Sequence, residues 1–318
     1  MKIFPIKVEP SSPRPYKIVE WMLHNVCNYD CSFCPSSTKN GSKRWFDLQV
    51  YKDTCERAIK EANKPVWFKL TGGEPTLYPK LKELLNFIKQ LGGFTYIISN
   101  GSRTIRYWKE IKAKNTLDFL ALSVHPEQTS DYQHIIDVIN LFRFTPTVVT
   151  VNVTCIPSFF DEAVRACDLI LENCATIVNL QQVNDVRGMA KYTDEQVAIL
   201  NRYTMVRGKT MAFQQGSTVP KELSYHSGKV KFTYNDESVV ENYAHIFIKN
   251  GETNFKDWTC DIGKNLIRIE HDVISRAVCG QGEKWTIYDG PLFASTPLVC
   301  QYDGQCSCTL DVIEPKVR

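Results

Sequence analysis

Cys27, Cys31 and Cys34 fall within the stretch CNYDCSFC at a CxxxCxxC spacing. Thiolates this close together suit a metal centre. Iron-sulfur clusters are ordinarily held by four thiolates, so a compact set of three leaves one iron of a [4Fe-4S] cluster open to an outside ligand. Two alternatives compete for the same residues. Structural zinc takes four nitrogen or sulfur ligands, typically as separated pairs, and His24 lies upstream on what reads as a strand. A ferredoxin-type run needs a fourth cysteine close behind, and none follows before Cys55. The spacing favours the three-ligand cluster.

A second constellation closes the next predicted strand, where residues 65–71 run into Gly72-Gly73-Glu74-Pro75. Glycines let a backbone come close to a ligand because no side chain intervenes. A backbone edge beside a carboxylate offers the acceptors that an α-amino group needs. Two later strands end in Ser99-Asn100-Gly101 and Ser123-Val124-His125. Small polar residues also end strands simply to satisfy backbone groups. His125, Glu127, Asp185 and Arg187 lie on or after strand ends and are candidate proton donors or substrate clamps. Surface solvation is the plain alternative for the charged three.

Residues 260–318 carry Cys260, Cys279, Cys300, Cys306 and Cys308, five of the chain's 12 cysteines. The interval DIGKNLIRIEHDVISRAV reads as a β-hairpin that returns Cys279 toward Cys260. Five thiols suit one four-ligand cluster with one to spare, and structural zinc is the alternative.

The elements that must position these residues form one rhythm and then break it. Apolar runs over 18–25, 65–71, 94–99, 118–124, 147–155 and 176–183 alternate with amphipathic stretches, the pattern of βα units around a parallel sheet. Leu81, Leu84, Leu85, Ile88 and Leu91 share one helical face, as do Tyr132, Ile135, Ile136, Ile139 and Phe142. Cys55, Cys167 and Cys174 fall in register with such faces and read as small buried hydrophobes; Cys155 ends a strand and reads the same way. Past residue 190 a helix near 193–204 precedes strand-like pieces at 209–215, 229–234 and 244–249. The expected division is an extension over 1–16, a core over 17–190 and a β-rich region over 191–318. The fold class is therefore α/β, six βα units with a β-rich C-terminal extension.

Composition narrows the class further. The chain has 318 residues, 43% of them apolar, and a net charge of +3, too small to argue for nucleic acid or a membrane surface. The N-terminus has charges and prolines where a signal peptide needs an apolar stretch. A cytoplasmic protein is expected, and in a reducing compartment the cysteines point to metal before disulfides.

The CxxxCxxC loop, with GGEP one strand and one helix later, resembles the radical S-adenosylmethionine (radical SAM) superfamily. That resemblance implies a partial TIM-like (βα)6 barrel and a [4Fe-4S] cluster on Cys27, Cys31 and Cys34 with S-adenosylmethionine on the open iron. It implies that Gly72, Gly73, Glu74 and Pro75 hold the amino group, and that Ser99, Asn100 and Ser123 lie toward the ribose or carboxylate. It places Phe33 against the adenine. The C-terminal cysteines resemble a twitch or SPASM extension with one auxiliary [4Fe-4S] cluster, although the Gly usual before the second cysteine is absent. An enzyme is implied, one that takes an electron from flavodoxin or ferredoxin, cleaves S-adenosylmethionine to a 5'-deoxyadenosyl radical and abstracts hydrogen from a substrate. A polar small molecule of sugar, aminocyclitol or nucleotide type is expected, for oxidation, epimerisation or rearrangement. Peptide modification, by thioether or carbon-carbon crosslinking or epimerisation, is the alternative, and a non-catalytic electron carrier is a remote one.

Overall fold

A computed structural model describes residues 3–12, 14–183, 191–208, 228–276 and 282–318. Asp185, Arg187, Cys279 and the strand expected over 209–215 lie outside the described residues. After β1 (Pro5–Pro10) the chain runs β2 (Lys17–Met22), α1 (Leu48–Ala62), β3 (Val66–Thr71), α2 (Leu81–Gln90), β4 (Phe94–Ser99), α3 (Ile105–Lys114) and β5 (Phe119–Val124). It continues through α4 (Tyr132–Leu141), β6 (Val148–Cys155), α5 (Phe160–Asn173), β7 (Ile177–Gln182), α6 (Asp194–Arg202) and β8 (Val206–Arg207). The remainder comprises β9 (Lys229–Tyr234), β10 (Val239–Tyr243), α7 (Ala244–Lys249), β11 (Thr259–Cys260), β12 (Leu266–Glu270), β13 (Val273–Ser275), β14 (Lys284–Thr286), β15 (Leu298–Val299), α8 (Thr309–Ile313) and β16 (Lys316–Val317).

Strands β2 to β7 pair in sequence order, all parallel, with α1 to α5 as the crossovers. This is the open (βα)6 arrangement the rhythm predicts. The helices bury their apolar stripes on one face of the sheet: Leu81, Leu84, Leu85 and Ile88 of α2 are all fully buried there. Each such leucine contributes about 2 kcal/mol by leaving water. α1 and α3 stop at Asn63 and Asn115, which take the left-handed backbone that ends a helix and that asparagine tolerates. Cys55, Cys155, Cys167 and Cys174 are fully buried in this core, as their register predicts.

The sheet does not stop at six strands. β8 adds antiparallel to β7, and β12 adds parallel to β2 on the other edge, followed by β13 and β14. The predicted hairpin is thus real, pairing Arg268 with Ser275 and Glu270 with Val273, but it extends the barrel sheet. A second, six-stranded sheet has the order β10-β9-β1-β16-β11-β15. Its β1 comes from the stretch expected to be an extension, so residues 1–16 are built into the C-terminal region. The boundary at 191 moves likewise, since α6 and β8 belong with the barrel. Residues 244–249 form helix α7 instead of a strand: as a helix they place Ala244 and Phe247 on one buried face, with Phe247 stacked on Phe232 at 3.8 Å.

The inner face of the barrel sheet is layered. Ile18, Trp67 and Leu266 stand opposite one another at its base and share one apolar cluster with Tyr96 and Ala121 and with Phe232, Phe247, Phe255, Trp258 and Val312 of the C-terminal region. One register step along, Glu20 of β2 accepts from Lys69 of β3 at 2.7 Å and is bound by Arg268 of β12. These two cations hold the Glu20 carboxyl below its ordinary range against the opposing pull of burial, the largest single effect on it. A further step brings Met22 and Thr71, where the site begins. Among the described residues no helix is long and apolar enough to cross a membrane.

Candidate metal and cofactor centre

The carboxyl ends of β2 to β5 open into one cavity of about 210 Å³. Cys27, Cys31 and Cys34 line it together with Phe33, Gly72, Gly73, Glu74, Ser99, Asn100, Ser123 and His125. Strand ends far apart in sequence therefore converge with the cysteine loop, as expected for a parallel barrel. Pro75 is not in the lining; it is buried and opens a single 3-10 turn that Glu74 caps.

The glycines serve the protein first. A Cβ on Gly72 would lie 2.7 Å from the His24 carbonyl oxygen and 2.8 Å from Met22, and one on Gly73 would collide with the backbone of Val26. Both have positive φ, +94° and +48°. The Glu74 N–H donates to the Val26 carbonyl at 2.9 Å, tying this turn to the base of the cysteine loop. Expected to admit a ligand, the two glycines are needed to let the turn meet the loop.

Glu74 is buried, and its carboxylate accepts from Thr76 N–H at 3.0 Å, Thr76 Oγ1 at 2.5 Å, Ser99 Oγ at 2.8 Å and Asn100 N–H at 2.7 Å. Three of these fall on Oε1 and one on Oε2, so Oε2 keeps capacity for a further donor. Burial raises the Glu74 carboxyl above its ordinary range, and these four bonds oppose that. Ser99 and Asn100 line the cavity, and their polar atoms also serve the protein. Ser99 Oγ is used by Glu74 and Gly101 N–H, while Asn100 donates to Asn28 Oδ1 at 3.0 Å and accepts from Ser102 N–H at 3.0 Å. Both position the loop and the carboxylate. The Ser123 hydroxyl, by contrast, forms no hydrogen bond within the described residues, and Ser123 lines the cavity.

Glu127 is also displaced from its expected role. It is not in the cavity lining; both its oxygens accept the Ser32 N–H, at 3.0 and 3.1 Å, inside the cysteine loop. His125 does line the cavity, between Tyr29 at 6.1 Å and Phe33 at 5.5 Å. Burial pushes its imidazole down to about 4, so it is neutral at pH 7. Its Nδ1 is buried without a partner among the described residues. Thr38 and Lys39 escaped the sequence reading: Thr38 Oγ1 lies 3.0 Å from Cys34 Sγ, and Lys39 Nζ donates to the Cys31 carbonyl at 2.6 Å while pairing with Asp30. A polar run straight after the third cysteine was the available signal.

The donor set suits a cluster. Three thiols ring one cavity, and burial, with Glu127 next, pushes Cys31 up to about 12. Left free, the Cys31 thiol stays protonated at pH 7, and a metal centre must supply the charge that ionises it. Among the described residues no three His, Cys, Asp or Glu side chains are grouped tightly enough for a single metal ion. A cluster spreads its thiolates more widely than one ion does.

An open parallel barrel with a three-thiol loop and a glycine turn at its strand ends defines a cofactor-dependent α/β protein. Residues 21–170 match the radical SAM superfamily, and the chain carries a radical SAM domain. That superfamily uses a [4Fe-4S] cluster and S-adenosylmethionine. The chain is 28% identical over 130 residues to an S-adenosylmethionine-dependent nucleotide dehydratase of Thermoplasmatales archaeon (strain ISO4-H5), covering 40% of this chain and 44% of that protein. It is 30% identical over 127 residues to a probable GTP 3',8-cyclase of Thermococcus kodakarensis, covering 39% and 40%. The chain spans less than half the length of these relatives. Its fold is similar to Streptococcus suis SuiB bound to S-adenosylmethionine, with a TM-score of 0.58 at 17% identity over 88% of this chain and 65% of that one.

One consequence concerns pH. His24 is buried behind the cysteine loop, with Nδ1 accepting the Val26 N–H at 3.1 Å, and burial pushes it down to about 4. The unfolded chain binds a proton at about 6.5 that the folded chain refuses until about 4, so stability rises with pH across that window. Acidification from 6.5 to 4 should cost on the order of 3 kcal/mol through this residue. Chemical denaturation of the metal-free protein at several pH values measures it; a His24→Asn variant with an undiminished slope would refute the assignment.

Proposed function

We propose that this chain is a radical SAM enzyme whose cluster sits on Cys27, Cys31 and Cys34 and whose substrate is a polar, charged small molecule of nucleotide type. When bound, the reduced cluster and S-adenosylmethionine supply carbon-sulfur cleavage and hydrogen-atom abstraction, and radical SAM enzymes draw the electron from an external reductant. The chain's own residues orient and exclude. Glu74 Oε2, Ser123 Oγ and the Gly72–Gly73 edge offer polar contacts to S-adenosylmethionine, while Phe33 and His125 provide flat apolar walls.

The observation that carries the substrate reading is the charged layer beneath the cavity. Glu20, Lys69 and Arg268 lie one register step below Met22 and Thr71. Two fixed cations on a half-enclosed inner face offer partners to an anionic group of the substrate. The names of the nucleotide dehydratase and GTP cyclase relatives support the same class. The C-terminal thiols extend the proposal: Cys260, Cys300 and Cys306 line a second pocket and would hold an auxiliary iron-sulfur centre, with Cys279 the remaining candidate. Cys308 is not in that lining; burial raises its thiol to about 11, and Asp311 of the pocket wall acts on it next.

Anaerobically reconstituted protein, dithionite and S-adenosylmethionine are incubated with ring-deuterated nucleoside triphosphates. Deuterium appearing in 5'-deoxyadenosine supports the proposal. Cleavage that is never coupled to nucleotides but transfers label from a peptide library selects peptide modification, and no cleavage by cluster-replete protein selects an electron carrier.

A further inference from the structure

The second thiol-lined pocket has a cation built into its wall. Cys260 of β11 and Lys316 of β16 are directly opposed in the antiparallel register, and Cys260 faces Leu298 of β15 on its other side. Opposed residues of an antiparallel pair stand side by side on one face of the sheet. All three line the pocket, with Phe255, Cys300 and Cys306. Lys316 is 3% exposed, an unusual place for an ammonium group.

Its hydrogen bonds are complete. Nζ donates to the carbonyls of Asp311 at 2.5 Å, Val312 at 3.2 Å and Glu314 at 2.7 Å, over the C-terminal end of α8, and lies 5.0 Å from the Phe255 ring centre. The charge is answered less directly: Lys316 forms no ion pair among the described residues, and the buried Asp311 stands in the same pocket wall. Glu314 is instead bound by Arg14 at 2.7 Å and by Asn265. Capping α8 explains the three carbonyl bonds. It does not explain why a fixed positive charge is buried beside a thiol when a neutral donor would cap as well.

We infer that Lys316 is a positioning residue for the auxiliary centre, holding an immobile positive charge against Cys260 so that the centre accepts an electron more readily. The inference rests on the reading that Cys260, Cys300 and Cys306 hold that centre. A thiolate-bound cluster is anionic, and one-electron reduction adds a further negative charge to it. A buried cation at its edge stabilises the reduced form more than the oxidised form, and poor screening preserves the effect.

The test is a redox titration of the full chain with dithionite, followed by electron paramagnetic resonance. The Cys27–Cys31–Cys34 cluster is the internal reference, distinguished by its response to S-adenosylmethionine. Lys316→Met should leave the reference unmoved and make the second centre at least tenfold harder to reduce, about 59 mV for one electron. Lys316→Arg should return it to within about threefold of the parent. If Lys316→Met does not fold, Lys316→Gln, which keeps two donors and loses the charge, takes its place with the same expectation. Equal titration of both centres in parent and neutral variants overturns the inference. A distinct result, parent protein whose iron content is unaltered by Cys260→Ala, overturns the auxiliary centre itself and the inference with it.

Discussion

Cys31→Ala should abolish S-adenosylmethionine cleavage while Cys55→Ala leaves it intact. Both thiols are buried, and burial raises both above the ordinary range, so neither exposure nor acidity separates them. Position does. Cys31 lines the cavity at the strand ends with Cys27 and Cys34, whereas Cys55 lies on α1 among Tyr51, Ala58 and the core behind the sheet. Because the hard chemistry belongs to the cofactor, losing one of three ligands should reduce 5'-deoxyadenosine formation by at least about 10³-fold. Iron content should fall by roughly half if the auxiliary centre is loaded. Cys55→Ala should instead lose about 1–2 kcal/mol of stability as a small cavity opens. Iron analysis and product chromatography on both variants decide the matter. Retained iron and cleavage in Cys31→Ala would end the assignment.

The contrast shows what the sequence could and could not express. Spacing separated the two kinds of cysteine, because a helical register repeats and a ligand loop does not. The six parallel strands were legible to within two or three residues, since strands buried on both faces read as continuous apolar runs. The closure of the C-terminal region was not legible. β1 pairs with β9 and β16, partners more than 200 residues away, and such pairing leaves no local trace. α7 misled because six residues are too few to separate a period of two from one of 3.6, and stacking of Phe247 on Phe232 decided it.

Within the site, residue types were legible and their directions were not. Ser99 and Asn100 line the cavity while their polar atoms also serve Glu74, Asn28 and Ser102, and Glu127, expected to face the cavity, accepts from Ser32 outside its lining. A polar residue at a strand end looks the same in sequence whether it serves a ligand or the protein. These bonds share a purpose: they fix the cysteine loop from β3, β4 and the turn after β5, none of which contains a thiol of the loop. A centre that must bind a cofactor in one orientation needs such outer support. The charged layer of Glu20, Lys69 and Arg268 was equally hidden, since its members come from three strands and meet only in register.

That support gives Gly73→Ala a large expected effect at a position with no chemistry of its own. Alanine at φ +48° carries a conformational cost of about 1 kcal/mol, and its Cβ would collide with the Val26 carbonyl that also accepts the Glu74 N–H. Backbone on both sides cannot step aside as a flexible side chain can, so the total should reach about 3 kcal/mol or more. The strain falls on a junction between the glycine turn and the cysteine loop, and iron incorporation should fail together with the thermal midpoint. Gly92→Ala separates the two causes. Gly92 has φ +78° with nothing within 4 Å of a Cβ, so it carries the conformational cost alone, about 1 kcal/mol, and should load iron normally. Were the two variants equal in stability and iron content, the close approach of turn to loop would not be what holds the centre together.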